Sequence, residues 1–123
     1  MIRRSLSSFK YAFNGIAALF RMEKNAKIHA VFAILAIVLG FALHIAISAF
    51  LLVFFAIVLV IFAEAVNTAI ERTIDLVETE SSQMVRLVKD ISAGAVLIAA
   101  IAAIFLGIAV FGGRILQLIG VIH

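Results

Sequence analysis

The chain contains no cysteine, no proline and no tryptophan, and only 14% of its 123 residues are charged. Without cysteine there are no disulfides, no cysteine-ligated zinc and no thiol catalysis. Without proline, long uninterrupted helices are favoured. Without tryptophan, only phenylalanine and tyrosine remain to form an aromatic belt at a membrane surface.

Most residues of the chain are apolar. They make up 66% of the chain, and the mean hydropathy is +1.28. A soluble domain of this size leaves too much surface exposed to hide so many apolar side chains, so the composition predicts an integral membrane protein. The net charge is +3, but the basic residues crowd into residues 3–27 beside an apolar segment. That placement fits anionic lipid headgroups and not nucleic acid.

The hydropathy pattern predicts an all-α membrane protein that forms a single domain over residues 1–123. Residues 2–20 alternate with the period of an amphipathic helix, so we expect a helix on the membrane surface within residues 1–22. Residues 30–63 carry no charge and are too long for one span, which favours a hairpin with its turn near residues 44–48. The expected membrane helices cover about residues 28–43, 49–77 and 91–111, and Gly112-Gly113-Arg114 is expected to close the third.

Two further patterns concern assembly and orientation. Ala95, Ala99, Ala103 and Gly107 recur at every fourth residue, and such a seam lets helices approach closely, so we expect oligomerisation along it. Nine of the ten lysines and arginines lie on one side of the three-span arrangement, and only Arg114 lies opposite. The N-terminus and the polar loop before the third helix should therefore be cytoplasmic.

A polar stripe crosses the membrane edge in the second predicted span. Its members, spaced by three and four residues on one helical face, are Glu64, Asn67, Glu71, Asp75 and Glu78. Glu64 lies nearest the apolar run, should be the most desolvated, and is the best placed to accept a proton. Asp75 and Glu78 are interpreted as a solvated helix end. An alternative role for Asn67 is to pair helices across an interface.

Other polar groups converge on the same face, including Glu23, Lys89 and Asp90. Carboxylates with few other ligands suit Mg²⁺, and a lysine can meet a phosphate as a point charge. The three histidines have no metal-ligand spacing, and no Walker-type, G-x-G-x-x-G or G-x-S-x-G motif is present. The residues alone leave two classes open: a small membrane enzyme that handles phosphate, or a proton- or cation-coupled carrier that uses Glu64. A membrane scaffold without chemistry would leave Glu64 unexplained.

The motif E-x-x-N-[ST]-A-I-E-x-x-x-D at residues 64–75, followed by Lys89-Asp90 and preceded by Glu23, resembles the bacterial integral-membrane diacylglycerol kinase and undecaprenol kinase family. The resemblance covers nearly the whole chain. It implies a homotrimer in the bacterial cytoplasmic membrane that transfers the γ-phosphoryl group of ATP, with Mg²⁺, to a lipid hydroxyl. Lys27-Ile-His29 and the segment after Lys89 look closer to the undecaprenol kinases of Gram-positive bacteria, with diacylglycerol as the alternative substrate.

The resemblance also assigns roles. Glu64 takes the position of the general base and Ala93 joins it at the lipid substrate, while Glu23 and Glu71 take the positions of the metal-binding carboxylates. The positions that correspond to nucleotide-binding residues are Arg4, Tyr11, Glu23, Asn67, Glu71, Glu80, Ser81, Ser82, Lys89 and Asp90.

Overall fold

The computed structural model describes residues 2–78, 80 and 82–123, and this part of the chain is helical and contains no strand. Three helices are long and apolar enough to cross a membrane, which confirms the predicted all-α membrane protein with three spans. The third span continues through a π-helical turn into a short last helix. In chain order the elements are α1 (Ile2–Met22), α2 (Lys24–Ala42), α3 (Ile47–Val77), α4 (Gln83–Gly107), the π-helical turn (Ile108–Gly112) and α5 (Gly113–Leu118).

Large and small apolar side chains occupy opposite places in this bundle. Phenylalanines such as Phe32, Phe54 and Phe105 point outward and are 63% or more exposed. The interior is built mainly from alanine and valine. This distribution is typical of a protein whose solvent is lipid, because small residues at helix interfaces let the backbones approach closely. The buried apolar residues are Leu19, Ala26, Ile45, Val53, Ala56, Val60 and Ala99.

The turn between α2 and α3 is a Schellman motif. His44 has a positive φ of 52°, its N–H donates to the carbonyl oxygen of Phe41, and the N–H of Ile45 donates to that of Gly40. Gly40 is buried because the ring of Phe50 lies against it: a Cβ added there would be 2.7 Å from Phe50 Cε1. The hairpin therefore closes within four residues, and α2 and α3 run antiparallel from it.

The third span is longer than hydropathy indicates. It begins at Gln83, where the Ser82 side chain accepts a hydrogen bond from the Val85 N–H, and it extends to Leu118. The expectation that Gly112-Gly113 closes it is wrong, because both glycines keep ordinary helical dihedrals. The helix ends instead at Leu118, two residues before Gly120, which has a φ of 81°.

The small-residue seam of α4 faces more than one environment. Ala99 is buried within the chain, where α4 packs most extensively against α3. Ala95 is exposed, and a Cβ built on Gly107 would meet no atom within 4 Å. One part of the seam therefore supports the fold of the protomer and the rest remains open to other contacts.

Arg114 ties the end of the third span to the hairpin. Its Nε donates a 2.8 Å hydrogen bond to the carbonyl oxygen of Leu43, in the turn between α2 and α3. The polar stripe lies toward the opposite end of α3. Arg114 is therefore at the end of the bundle opposite the polar stripe.

Candidate active site

The polar stripe is graded in burial along α3. Glu64 is 2% exposed and Asn67 is 8% exposed, Glu71 is half-buried, and Asp75 and Glu78 are exposed. The gradient arises because α3 is 31 residues long, about 46 Å, and so runs past a hydrocarbon core of about 30 Å. The apolar first part of α3 crosses the membrane, and the stripe begins where that part ends.

Glu64 faces His29 across the interface between α3 and α2. His29 Nε2 lies 3.7 Å from Glu64 Oε2, which is too long for a hydrogen bond. Among the residues that the structure describes, Glu64 Oε2 has no hydrogen-bond partner. The two side chains meet because α2 and α3 are antiparallel and both residues lie within about one helical turn of the same distance from the hairpin turn.

Asn67 joins α3 to α4. Its Oδ1 accepts a 2.7 Å hydrogen bond from Ser92 Oγ, and both side chains are buried. The bond provides a partner for the buried amide oxygen of Asn67. It also fixes the register of α3 against α4 beside Glu64.

Two ion pairs lie beyond the buried residues. Arg72 Nη2 is 2.8 Å from Glu23 Oε1, and Lys89 Nζ is 2.6 Å from Asp75 Oδ1. The first pair links the corner between α1 and α2 to α3, and the second links α3 to α4. Arg72 therefore does not merely offset its neighbour Glu71, as local sequence indicates, but reaches the predicted metal ligand Glu23.

Three carboxylates occupy one region of the site. Glu23 and Glu71 are both close enough to Glu64 to interact with it electrostatically. Within residues 2–78, 80 and 82–123, however, no group of three acidic or histidine side chains is close enough to form a metal cage. The donors present are hard oxygens, and Mg²⁺ is commonly held by one or two carboxylates together with phosphate oxygens and water. Glu23 and Glu71 therefore fit Mg²⁺ that arrives with a nucleotide.

The remaining predicted site residues are more scattered. Arg4 and Tyr11 are exposed on α1, and neither is joined to the carboxylates by a hydrogen bond or ion pair within the described residues. Ser82 caps α4, while Glu80, Asp90 and Ala93 are exposed. Ser81 lies outside the described residues.

An apolar crevice of about 330 Å³ lies between α2, α3 and α4. It runs toward the hairpin end of the bundle, and His29 is the polar residue at its opposite end, next to the stripe. Residues that line it include Phe32, Ala36, Val60, Ala103 and Phe111.

Sequence reasoning missed three of these contacts. They are the approach of His29 to Glu64, the hydrogen bond of Ser92 to Asn67 and the ion pair of Arg72 with Glu23. The hairpin offers a signal for His29, since counting away from the turn along each helix brings His29 and Glu64 to a similar depth. Ser92 and Arg72 offer no comparable signal, because their partners depend on how the helices rotate against one another.

The sequence model of the family described as prokaryotic diacylglycerol kinase matches residues 10–111. The chain belongs to this family. The prokaryotic diacylglycerol kinases are phosphotransferases with an alcohol group as acceptor, so the predicted family and the predicted enzyme class are both confirmed.

Two relatives illustrate the range of this family. The chain is 32% identical over 110 residues to undecaprenol kinase from Bacillus subtilis (strain 168), with 89% of each chain covered. It is 36% identical over 103 residues to diacylglycerol kinase from Synechocystis sp. (strain ATCC 27184 / PCC 6803 / Kazusa). This alignment covers 83% of the present chain and 59% of that protein. No solved structure matches the chain.

Proposed function

We propose that this member of the prokaryotic diacylglycerol kinase family transfers the γ-phosphoryl group of ATP to the hydroxyl of undecaprenol and so produces undecaprenyl phosphate. The observation that carries the proposal is Glu64, a carboxylate buried at the membrane edge whose Oε2 atom has no hydrogen-bond partner among the described residues. Undecaprenol is favoured because the relative named for it aligns over 89% of both chains. Diacylglycerol is the second candidate, since the relative named for it has the higher identity of the two, 36%.

The proposed reaction starts with removal of the proton from the lipid hydroxyl. Glu64 Oε2 accepts this proton as the hydroxyl oxygen attacks the γ-phosphorus of ATP. An oxygen–phosphorus bond forms to the lipid, the bond from the γ-phosphorus to the β–γ bridging oxygen breaks, and ADP leaves. General-base assistance of this kind typically contributes about 10²- to 10⁴-fold to a rate.

Phosphoryl transfer depends mainly on positioning and on neutralising charge. Glu23 and Glu71 would hold Mg²⁺, which supplies positive charge to the phosphates when it is bound. Lys89 would contribute a further positive charge, and it would leave Asp75 to do so. Asn67, held through its oxygen by Ser92, would present its amide N–H groups to the nucleotide. The resemblance adds Arg4, Tyr11, Asp90 and the loop residues Glu80, Ser81 and Ser82 to the nucleotide side, and Ala93 to the lipid side.

The site requires its two substrates to arrive from different phases. The lipid comes from the bilayer and ATP from the cytoplasm, and we propose that α1 lies in the membrane interface at the cytoplasmic surface beside Glu23. The exposed part of the α4 seam supports the proposed homotrimer, because Ala95 and Gly107 leave room for close helix contact between protomers.

A radiolabelled ATP assay in detergent, with undecaprenol and diacylglycerol offered separately and in competition, tests the proposal. We expect label in undecaprenyl phosphate, and a higher kcat/KM for undecaprenol than for diacylglycerol. A preference for diacylglycerol would change the proposed substrate but leave the proposed kinase activity in place. Absence of labelled lipid with either alcohol would contradict the proposed reaction.

A further inference from the structure

His29 is placed where the lipid hydroxyl would meet Glu64. Its side chain is 23% exposed, and its Nε2 atom lies 3.7 Å from the buried oxygen Oε2 of Glu64. Buried side-chain oxygens in proteins normally have a hydrogen-bond partner, and one without a partner calls for an explanation. Since Oε2 has none among the described residues, it is available to accept a hydrogen bond from a bound molecule.

The gap between the two side chains suits one hydroxyl oxygen. Hydrogen bonds of a hydroxyl to a carboxylate or an imidazole measure about 2.8 Å. An oxygen atom at that distance from both Nε2 and Oε2 forms a triangle with their 3.7 Å separation. A hydroxyl in this position donates its hydrogen to Glu64 and accepts a hydrogen bond from the N–H of His29, so both of its polar functions are satisfied.

The apolar crevice leads to the same point. His29 lies at one end of it, and the rest of its lining consists of apolar side chains from α2, α3, α4 and the π-helical turn. A hydrocarbon chain in this crevice would bring a terminal hydroxyl to the imidazole. An apolar crevice that ends at His29, with Glu64 Oε2 3.7 Å beyond the imidazole, matches a lipid alcohol better than a lipid without a free hydroxyl.

We propose that His29 binds the acceptor hydroxyl: Nε2–H donates to the hydroxyl oxygen and holds it while Glu64 Oε2 removes the proton. The inference rests on the proposed function, because it concerns the acceptor of that reaction. His29 takes up no proton in this step. Its effect is to orient the nucleophilic oxygen, so it contributes to recognition of the alcohol and not to recognition of ATP.

The test compares the alcohol with its deoxy analogue, in which hydrogen replaces the hydroxyl. The full-length protein in detergent micelles is assayed with undecaprenol, or with diacylglycerol if that is the lipid that is phosphorylated, and the deoxy analogue is added as a competitive inhibitor. The variants are His29→Leu, which removes the donor, and His29→Gln, which keeps an N–H donor. His123→Leu, at an exposed position in the C-terminal segment, is the control for the same substitution.

We compare the inhibition constant of the deoxy analogue with the KM of the alcohol. In the wild type the ratio of these two constants measures how much the hydroxyl contributes to binding. We expect His29→Leu to reduce this ratio about 10-fold, the usual effect of losing one hydrogen bond, with the KM for ATP unchanged. His29→Gln should recover most of it, and His123→Leu should match the wild type.

Three results would overturn the inference. The first is an unchanged ratio in His29→Leu. The second is an equal loss of affinity for the alcohol and the deoxy analogue, as expected if His29 only supports the packing of Glu64. The third is a His29→Gln variant as impaired as His29→Leu. A wild type that phosphorylates neither alcohol would instead contradict the proposed function, so the two failures are distinguishable.

Discussion

At the scale of single residues, burial decides which member of the polar stripe does chemistry. Moving a carboxylate out of water is costly unless it is paired, and Glu64 is nearly inaccessible with one oxygen unbonded among the described residues. The exposed carboxylates of Asp75 and Glu78 bear no such cost. Burial of the Glu64 carboxylate without a full set of partners does not stabilise the protein, so we infer that it serves the reaction.

Glu64→Gln should therefore abolish nearly all lipid phosphorylation and leave the fold intact. The amide is similar in size but cannot accept the hydroxyl proton, so we expect kcat to fall by about 10²- to 10⁴-fold. Turnover is measured with radiolabelled ATP, and folding by thermal unfolding in detergent. Glu78→Gln makes the same substitution at an exposed position and should behave like the wild type. Normal turnover in Glu64→Gln would remove this residue as the base.

Substitution of the other two carboxylates should change the response to magnesium. Glu23→Gln and Glu71→Gln each remove an oxygen donor with full charge, so we expect the Mg²⁺ concentration for half-maximal activity to rise about 10-fold or more. The measurement is a titration of Mg²⁺ at fixed ATP, again with Glu78→Gln as the control. An unchanged Mg²⁺ requirement in both variants would show that neither carboxylate is a ligand.

Substitutions in the ion pair between Lys89 and Asp75 distinguish a role of Lys89 in binding ATP from a role in stabilising the fold. If Lys89 serves the phosphates, Lys89→Gln should raise the KM for ATP about 10-fold, because a hydrogen bond to a charged group is lost. Asp75→Asn should change that KM less than twofold, and the stability of the protein by less than about 1 kcal/mol, since exposed ion pairs contribute little. Equal effects of the two substitutions on unfolding and on KM would assign the lysine to the ion pair.

How far the sequence predicts this site depends on the kind of contact. The burial of Glu64 follows from its position at the end of an uncharged run, so it is accessible to a hydropathy argument. The contacts of Asn67 with Ser92 and of Glu23 with Arg72 join residues far apart in the chain. They depend on the rotation of one helix against another, which periodicity alone does not specify.

At the scale of secondary structure, the helix ends follow backbone conformation more closely than composition. The Gly112-Gly113 pair predicts a helix end, yet both glycines adopt right-handed helical dihedrals and the helix continues through them. The described residues with a positive φ are His44, in the turn between α2 and α3, and Gly120, just after the last helix. His44 is an unusual choice for the hairpin, because only glycine adopts this conformation without steric cost.

Gly40→Ala should destabilise the hairpin between α2 and α3. Alanine favours a helix by about 1 kcal/mol over glycine, but its Cβ would lie 2.7 Å from the ring of Phe50, and overpacking of this kind costs about 1–3 kcal/mol. We expect a net loss of up to about 2 kcal/mol, measured by unfolding in mixed micelles. Gly112→Ala is the matched control, because a Cβ there meets no atom within 4 Å and should leave stability unchanged or higher. A stabilised Gly40→Ala variant would show that the ring of Phe50 moves aside at little cost.

At the scale of the whole molecule, basic residues are distributed unequally between the two ends of the helical bundle. The hydrogen bond from Arg114 to the Leu43 carbonyl fixes this arginine at the hairpin end of the bundle, while the basic residues of the three spans at residues 24, 27, 72, 86 and 89 lie near the opposite ends of α2, α3 and α4. The third span from Gln83 to Leu118 is 36 residues long, about 54 Å, so its two ends emerge on opposite sides of a bilayer. Basic residues near span ends favour the cytoplasm, so the active site should face it.

Because the chain has no cysteine, this orientation is directly measurable with single cysteines. Gln83→Cys lies at the exposed start of α4, and Val121→Cys lies in the exposed segment after α5. A membrane-impermeant maleimide applied to intact cells whose outer surface is accessible should label Val121→Cys, and should label Gln83→Cys only after the membrane is opened or in inverted vesicles. The cysteine-free parent gives the background. The reverse pattern would place the carboxylates outside, away from ATP, and labelling of both positions from one side would contradict the three-span arrangement itself.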